Sequence, residues 1–255
     1  MRNIFLFLLF IASVLTAKDL DPIYLDIPAY KYLIGDFSSS KLKYYKDAEN
    51  GRVFHMRNDV FSQFQKMKKA YETYAREKKL KVKTISLRSA FRSFNDQKYI
   101  WETKFTGQKK MGKSVKGKTA EERAKLILEY SSAPGTSRHH WGTDLDLNSL
   151  SNTYFGKGGA GEELYKWLLQ NAPKYGFCQP YNELKNRGNK GYFEERWHWS
   201  YAPVSNKLLK DWNEAYKEQK LNFKKHKGSE VLENKRSTYV NSINTDCAKT
   251  QEPSL

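Results

Sequence analysis

Ser137-Arg138-His139-His140-Trp141-Gly142-Thr143-Asp144-Leu145-Asp146 and, much later, Glu195-Arg196-Trp197-His198-Trp199 are the two stretches on which the reading of this chain turns. They hold three of its five histidines, set beside carboxylates. A catalytic zinc centre uses three protein ligands and keeps a fourth position open, while a carboxylate outside the ligand set handles a proton. His139 and Asp146 stand seven positions apart with Gly142 between them, so the chain can turn and bring an imidazole and a carboxylate to one ion. His198 would complete the set from a neighbouring strand. Glu195 lies three positions before His198. That odd offset puts the two on opposite faces of an ideal strand, so the strand must bend or end there for Glu195 to reach the site. Spacing does not rank His139 against His140, Asp144 against Asp146, or Glu194 against Glu195. Trp197 and Trp199 read as packing residues that also keep the site dry.

Outward from these blocks, Val60, Phe61, Phe64, Met67, Tyr71 and Tyr74 recur at helical spacing and predict an amphipathic helix. Residues 81–87, rich in Val, Thr and Ile, predict a strand. Residues 95–105 read as helical, and Thr119-Ala120-Glu121-Glu122 is a capping box opening a helix through about 130. The Ala133-Pro134-Gly135-Thr136 turn delivers the first block, whose residues 143–147 alternate as a short strand. After a Gly-rich loop at 156–161, residues 162–172 form another helix, ended near Pro173 and Gly176. Residues 191–201 alternate with large aromatics and predict the strand that carries the second block. Pro203 leads into a helix to about 220, with Leu208, Leu209, Trp212 and Tyr216 on one face. Residues 18–52 show no strong period and are expected to wrap the surface. The polar stretch from Asn222 is expected to be loosely held. With no internal repeat and no low-complexity linker, one catalytic domain of mixed α and β follows.

Aromatics make up 15% of the 255 residues, so core material is plentiful despite a mean hydropathy of -0.80, and a disordered chain is excluded. Met1-Arg2-Asn3, the apolar run from Ile4 to Leu15 and Thr16-Ala17 form the pattern of a secretory signal peptide. The run falls short of the roughly 20 residues that span a bilayer, so no permanent membrane span is expected. Export permits a disulfide between Cys178 and Cys247 without requiring one. A net charge of +17 draws the protein towards polyanions: anionic cell-wall polymers, acidic membrane surfaces or nucleic acid. The densest basic run, Lys109, Lys110, Lys113, Lys116 and Lys118, sits among glycines without apolar periodicity and reads as a solvated loop.

The first block fits Ser-x-His-x-x-Gly-x-x-x-Asp and the second fits Glu-x-x-His-Trp. Ser89-Ala90-Phe91-Arg92-Ser93-Phe94-Asn95-Asp96-Gln97 is similar to a Ser-Gly-Tyr-Arg-Ser-x-x-x-Gln stretch. In this order and separation, over residues 89–199, the three resemble the VanY-type D-alanyl-D-alanine carboxypeptidases, zinc peptidases of the superfamily that includes lysostaphin and the hedgehog zinc domain. The resemblance implies that His139, Asp146 and His198 bind Zn2+ and that Glu195 is the base. It implies that Arg92, rather than its near neighbour Arg88, holds the substrate or the developing oxyanion, with Ser137 and Gln97 lining the substrate side. The family often has Ala where this chain has Asp144, a departure that sets a second carboxylate near the metal, beside one of its ligands or on the surface.

The expected fold is therefore α+β, a small antiparallel sheet carrying a zinc site and flanked by helices. The expected domains are a signal peptide over 1–17, one zinc peptidase domain over 18–220 with its motif core at 84–202, and a polar C-terminal tail over 221–255. The expected function is that of an exported, periplasmic or cell-wall-associated peptidase acting on peptidoglycan stem peptides and releasing terminal D-alanine. Within the family, endopeptidase and L,D-carboxypeptidase activities are the alternatives. A peptidoglycan-binding protein with a vestigial site would keep the ligands and lose the base, and Glu195 argues against it. A secreted basic nuclease rests on net charge alone and would call for oxygen ligands of the magnesium type. No nucleic-acid partner is expected.

Overall fold

The N-terminal stretch enters through a 3-10 turn at Pro22–Tyr24 and helix α1 (Ala29–Tyr32), then a hairpin of β1 (Lys43–Lys46) and β2 (Val53–Met56). The long helix α2 (Asn58–Glu77), strand β3 (Leu87–Ser89), and helices α3 (Phe94–Phe105) and α4 (Ala120–Ile127) follow. Next come strand β4 (Asp144–Leu147), helices α5 (Asn152–Phe155) and α6 (Glu162–Asn171), and strands β5 (Phe177–Cys178) and β6 (His198–Tyr201). Helices α7 (Ala202–Lys217), α8 (Arg236–Asn241) and α9 (Asp246–Lys249) complete the order. This computed structural model describes residues 21–250 and Pro253; the signal-peptide stretch 1–17 lies outside the described residues.

Strands β3-β4-β6-β5 form one antiparallel sheet, with Asp144 opposite Ser200, Leu145 opposite Trp199 and Asp146 opposite His198. Successive side chains of a strand point to opposite faces and cross-strand partners share one. Leu145, Leu147, Trp199 and Tyr201 therefore face one way, and they join the main core with Val60, Phe64, Met67 and Tyr71 of α2 and Leu164 and Trp167 of α6. The helical spacing of α2 supplies its half of that contact, a single buried stripe along twenty residues. Asp144, Asp146, His198 and Ser200 face the other way, and all four are buried. The fold is α+β, a small antiparallel sheet with flanking helices. The capping box expected at Thr119 and Glu122 is formed, and Ser93 with Asp96 forms a second one at the start of α3.

Four expectations are corrected. Residues 81–86 are not strand, because side chains take their carbonyls: Tyr71 Oη donates to Val82 O at 2.9 Å, Lys68 Nζ to Ile85 O at 2.9 Å and Asn148 Nδ2 to Thr84 O at 3.1 Å. Residues 191–197 are also irregular. There the Arg187 guanidinium collects the carbonyls of Lys190 and Tyr192, and Asn152 brackets Glu194 O and Arg196 N. The N-terminal stretch does more than wrap the surface: Tyr24, Tyr32, Leu33 and Ile34 are buried in a second core with Trp141, Leu208 and Trp212. The stretch from Asn222 is held too. Leu232, Val240 and Cys247 are buried, and Cys247 is disulfide-bonded to Cys178 of β5 with their Cα atoms 5.3 Å apart. Among the described residues no helix is long and apolar enough to cross a membrane.

Candidate metal centre and catalytic cleft

The turn that makes the site is the 3-10 stretch Arg138–Trp141, closed by Gly142 at φ +68°, a conformation that side-chain-bearing residues avoid. It returns the chain into β4 so that His139 meets Asp146. His139 Nε2 lies 3.4 Å from Asp146 Oδ1, and His198 Nδ1 lies 3.3 Å from the same oxygen. One ligand atom from each of His139, Asp146 and His198 falls within 4.8 Å of the others. His139 Nε2 and Asp146 Oδ1 are buried and make no hydrogen bond. Buried polar atoms without a partner are costly, and two of them aimed at one point are what a cation would satisfy.

Each imidazole is oriented by its other nitrogen. His139 Nδ1–H donates to Ala90 O at 2.8 Å, which leaves Nε2 free to ligate. His198 Nε2–H donates to Asp144 Oδ2 at 2.8 Å, which leaves Nδ1. Carboxylates and carbonyls behind ligating histidines fix tautomer and ring orientation in this way. Asp144 is anchored in turn by Arg138 Nε at 3.1 Å, the Ser200 hydroxyl at 2.8 Å and the Thr143 hydroxyl at 2.7 Å. Asp144 and Asp146 thus share a face of β4 yet serve opposite nitrogens of one ring. Burial alone would raise both carboxyls. Arg138 and His198 hold Asp144, and His139 and His198 hold Asp146, well below the usual carboxylate range.

The chain ends its irregular stretch at His198, whose N–H donates to Glu195 O at 3.2 Å. That turn removes the parity problem of the odd offset: Glu195 Oε2 sits 3.2 Å from His198 Nδ1, on the same side of the sheet. Burial raises the Glu195 carboxyl, partly offset by hydrogen bonding to His198. Burial lowers His198, but its contacts with Asp144, Asp146 and Glu195 outweigh that and hold it well above its ordinary value. His139 is pushed down by burial and by the charge of Arg92.

His140 is placed away from the ligand set. Its Nδ1 donates to Arg92 O at 2.7 Å and its Nε2 accepts from Gly135 N–H at 3.0 Å, so both nitrogens are used, one bracing the backbone of Arg92 and the other that of Gly135. Arg92 N–H donates to His139 O at 3.2 Å, while its buried Nε has no partner. Arg92, Asp146 and Glu195 line one cleft of about 660 Å³ together with Arg88, Lys104, Tyr130, Ser131 and Trp197. Glu194 is held elsewhere, in an ion pair with Arg196 at 3.2 Å. Gln97 and Ser137 lie behind the residues that line the cleft, and Gln97 Oε1 and Ser137 Oγ are buried without a hydrogen-bond partner. Gln97 is fully buried and donates to Ser132 O at 2.6 Å, and Ser137 is buried at the start of the turn. No sequence signal picks out Lys104 or Ser131, since nothing distinguishes one lysine among many.

Residues 54–204 match the family model described as VanY: D-alanyl-D-alanine carboxypeptidase. A putative carboxypeptidase, YodJ, of Bacillus subtilis is 35% identical over 119 residues, 45% of this chain and 37% of that protein. A D-alanyl-D-alanine carboxypeptidase of Enterococcus faecalis is 28% identical over 116 residues, 46% of this chain and 39% of that protein. The matches thus span well under half the length of these relatives. Solved structures that overlap this chain include VanYB in complex with D-alanine-D-alanine and a mutant of the vancomycin-resistance D,D-pentapeptidase VanY in complex with Zn(II). Each covers 68% of this chain and 84% of its own, at 23% identity and a TM-score of 0.45. The family model takes in 151 of the 255 residues, from β2 into α7, and all the residues of the His139, Asp146, His198 and Glu195 cluster lie inside it: the chain belongs to the VanY D-alanyl-D-alanine carboxypeptidase family.

Proposed function

We propose that this protein is an exported zinc-dependent peptidase that hydrolyses bacterial cell-wall stem peptides and releases the terminal D-alanine of D-alanyl-D-alanine ends. The observation that carries the reading is the convergence of two imidazole nitrogens and one carboxylate oxygen within 4.8 Å, with Glu195 alongside and Arg92 in the same cleft. A set of two His and one Asp is of the kind that suits zinc, and the unpartnered His139 Nε2 and Asp146 Oδ1 fit it. His139 through Nε2, His198 through Nδ1 and Asp146 would hold the ion. Zinc, when bound, supplies a Lewis-acid charge that acidifies water and polarises a carbonyl.

Glu195 takes a proton from the attacking water and returns it to the departing amine nitrogen. Its raised carboxyl pKa brings it nearer to neutrality, where a general base is most effective. The Arg92 guanidinium, its backbone braced by His140 and His139, donates to the carbonyl oxygen as negative charge builds there. A fixed donor of that kind is typically worth about a hundredfold or more in rate. The domain reading is a single peptidase unit, and the Cys178–Cys247 disulfide suits an oxidising compartment outside the cytoplasm. The basic surface suits a polyanionic wall.

Product analysis on a cell-wall pentapeptide ending in D-Ala-D-Ala, with chelator and with added zinc, tests the proposal. Zinc-dependent release of one D-alanine is expected. Cleavage only at an internal bond would replace the carboxypeptidase reading with an endopeptidase one, and zinc binding without any cleavage would replace both with a binding role. Glu195→Gln should keep the metal and lose hydrolysis.

A further inference from the structure

We infer that Lys104 binds the free carboxylate at the C-terminal end of the substrate, so that the cleft selects peptides ending just beyond the bond it cuts. The inference rests on the peptidase reading above and deepens it by assigning a residue to the exopeptidase preference.

Lys104 lies in the last turn of α3 and lines the same cleft as Arg92, Asp146 and Glu195. It is half-buried, and its ammonium donates to the Ser131 hydroxyl. Among the described residues no carboxylate comes within ion-pairing distance of it, whereas Lys68, Lys113, Lys166 and Lys207 each have one. A surface ammonium needs no counter-ion, but one drawn out of water does. Here the neighbouring charges make matters worse. Burial first, then Lys109 and Arg92, push the Lys104 ammonium down to about 8, and Glu195 only partly offsets them.

The charge inventory of the cleft points to an anion. Arg52, Arg88, Arg92, Lys104 and Lys109 line it against Asp146 and Glu195. The two acids are committed, one to the ion and one to proton transfer, and Arg92 is committed to the carbonyl oxygen. Lys104 is the half-buried cation without a task. Ser131 lies beside it on the cleft wall, accepting from the ammonium while keeping its own O–H to donate, so the pair offers two donors to one carboxylate. Ile100, one turn earlier on α3, and Tyr130 and Trp197 supply apolar walls that suit a small side chain such as a methyl group. A peptide whose chain continued past that point would bring a neutral amide to the ammonium in place of a charge.

The test compares an N-acetylated peptide ending in D-Ala-D-Ala as the free acid with the same peptide as its C-terminal amide, on the full chain and its Lys104→Met and Lys104→Arg variants. Lys104→Met should raise KM for the acid about tenfold or more, the scale of a lost charge-assisted hydrogen bond. It should leave kcat within about threefold, leave the amide's KM unchanged, and Lys104→Arg should restore most of the loss. A rise in KM for acid and amide alike, or for neither, overturns the inference. Should the unmodified protein cleave neither peptide, the proposed activity fails but Lys104 is still scored by calorimetric titration with the two peptides. Tighter binding of the acid, lost in Lys104→Met, supports the carboxylate site; equal binding, or none, overturns it.

Discussion

The two faces of the β4–β6 pair are built from the same eight residues and do opposite things. On one side Leu145, Leu147, Trp199 and Tyr201 close against α2 and α6 in the main core. On the other, Asp144, Asp146, His198 and Ser200 are equally hidden from water but consist of charges and hydrogen-bonding groups, one of which, Asp146 Oδ1, has no hydrogen-bond partner. Burial of apolar area stabilises by about 25 cal/mol per Å². Burial of charge costs free energy unless each group is matched. The core face thus supplies the stability with which the cleft face holds its functional groups in a fixed, poorly solvated arrangement. The difference lies in parity along a strand: shifting either strand by one residue would exchange core for cleft.

The sharpest way to break this division is to mutate each face and read both properties. Asp146→Ala removes the oxygen shared by the two imidazoles and should abolish stoichiometric zinc binding. It should lower hydrolysis at least about a thousandfold, the scale of several kcal/mol of metal-derived stabilisation. Metal content by atomic emission after dialysis, read beside D-alanine release, checks it. Trp199→Ala, one residue from His198 but on the other face, should cost about 3–5 kcal/mol in urea unfolding while the folded protein still binds one zinc. If Trp199→Ala instead removed the metal without moving the unfolding midpoint, the separation of faces would be wrong. Asp144→Asn sharpens the comparison within the cleft face. It keeps the shape but weakens the carboxylate behind His198, so zinc affinity should fall by about 10–100-fold rather than vanish, as competition with a fluorescent chelator would report.

How much of this was legible beforehand follows from the same geometry. The alternation Asp144-Leu145-Asp146-Leu147 marks a strand with an acidic face, and that face is what the structure has. Parity cannot separate Asp144 from Asp146 because they share that face. Only the orientation of the His198 ring divides them, and that depends on Arg138, Thr143 and Ser200 arriving behind Asp144. His139 and His140 are likewise inseparable by spacing until Arg92 O and Gly135 N occupy both nitrogens of His140. The odd offset between Glu195 and His198 requires a bend, and the strand meets it by starting only at His198. The strand expected at 81–87 begins only at Leu87, for a reason that no local pattern contains. Lys68 and Tyr71, one turn apart on α2, reach across to take the carbonyls a strand partner would have used. The segment from Asn222 is illegible because its anchors, Leu232, Val240 and Cys247, are single buried apolar residues, one at each of three separate short elements within polar sequence, and one of them is held by a disulfide.

The cleft holds its cations at a cost. Lys104 has its folded pKa lowered to about 8, first by burial and then by Lys109 and Arg92, against roughly 10.4 for an unfolded lysine. Between those two values the unfolded chain binds a proton that the folded chain does not, so the folded state loses stability as pH falls from about 10.4 to 8. Below 8 the penalty is present in full. Lys104→Met removes the penalty and loses the hydrogen bond to Ser131, worth roughly 1 kcal/mol. The penalty is roughly 3 kcal/mol at about 1.36 kcal/mol per pKa unit, so the variant should be more stable than the parent by roughly 2 kcal/mol at pH 7, and the advantage should fade as pH rises through 8 towards 10. Urea unfolding at pH 7, 8.5 and 10 measures it. A stabilised variant that has also lost its discrimination between peptide acid and amide would place Lys104 with the other groups of the cleft face, held at a cost for what they bind. A destabilised one, with a gap that does not move with pH, would return it to the ordinary packing of α3.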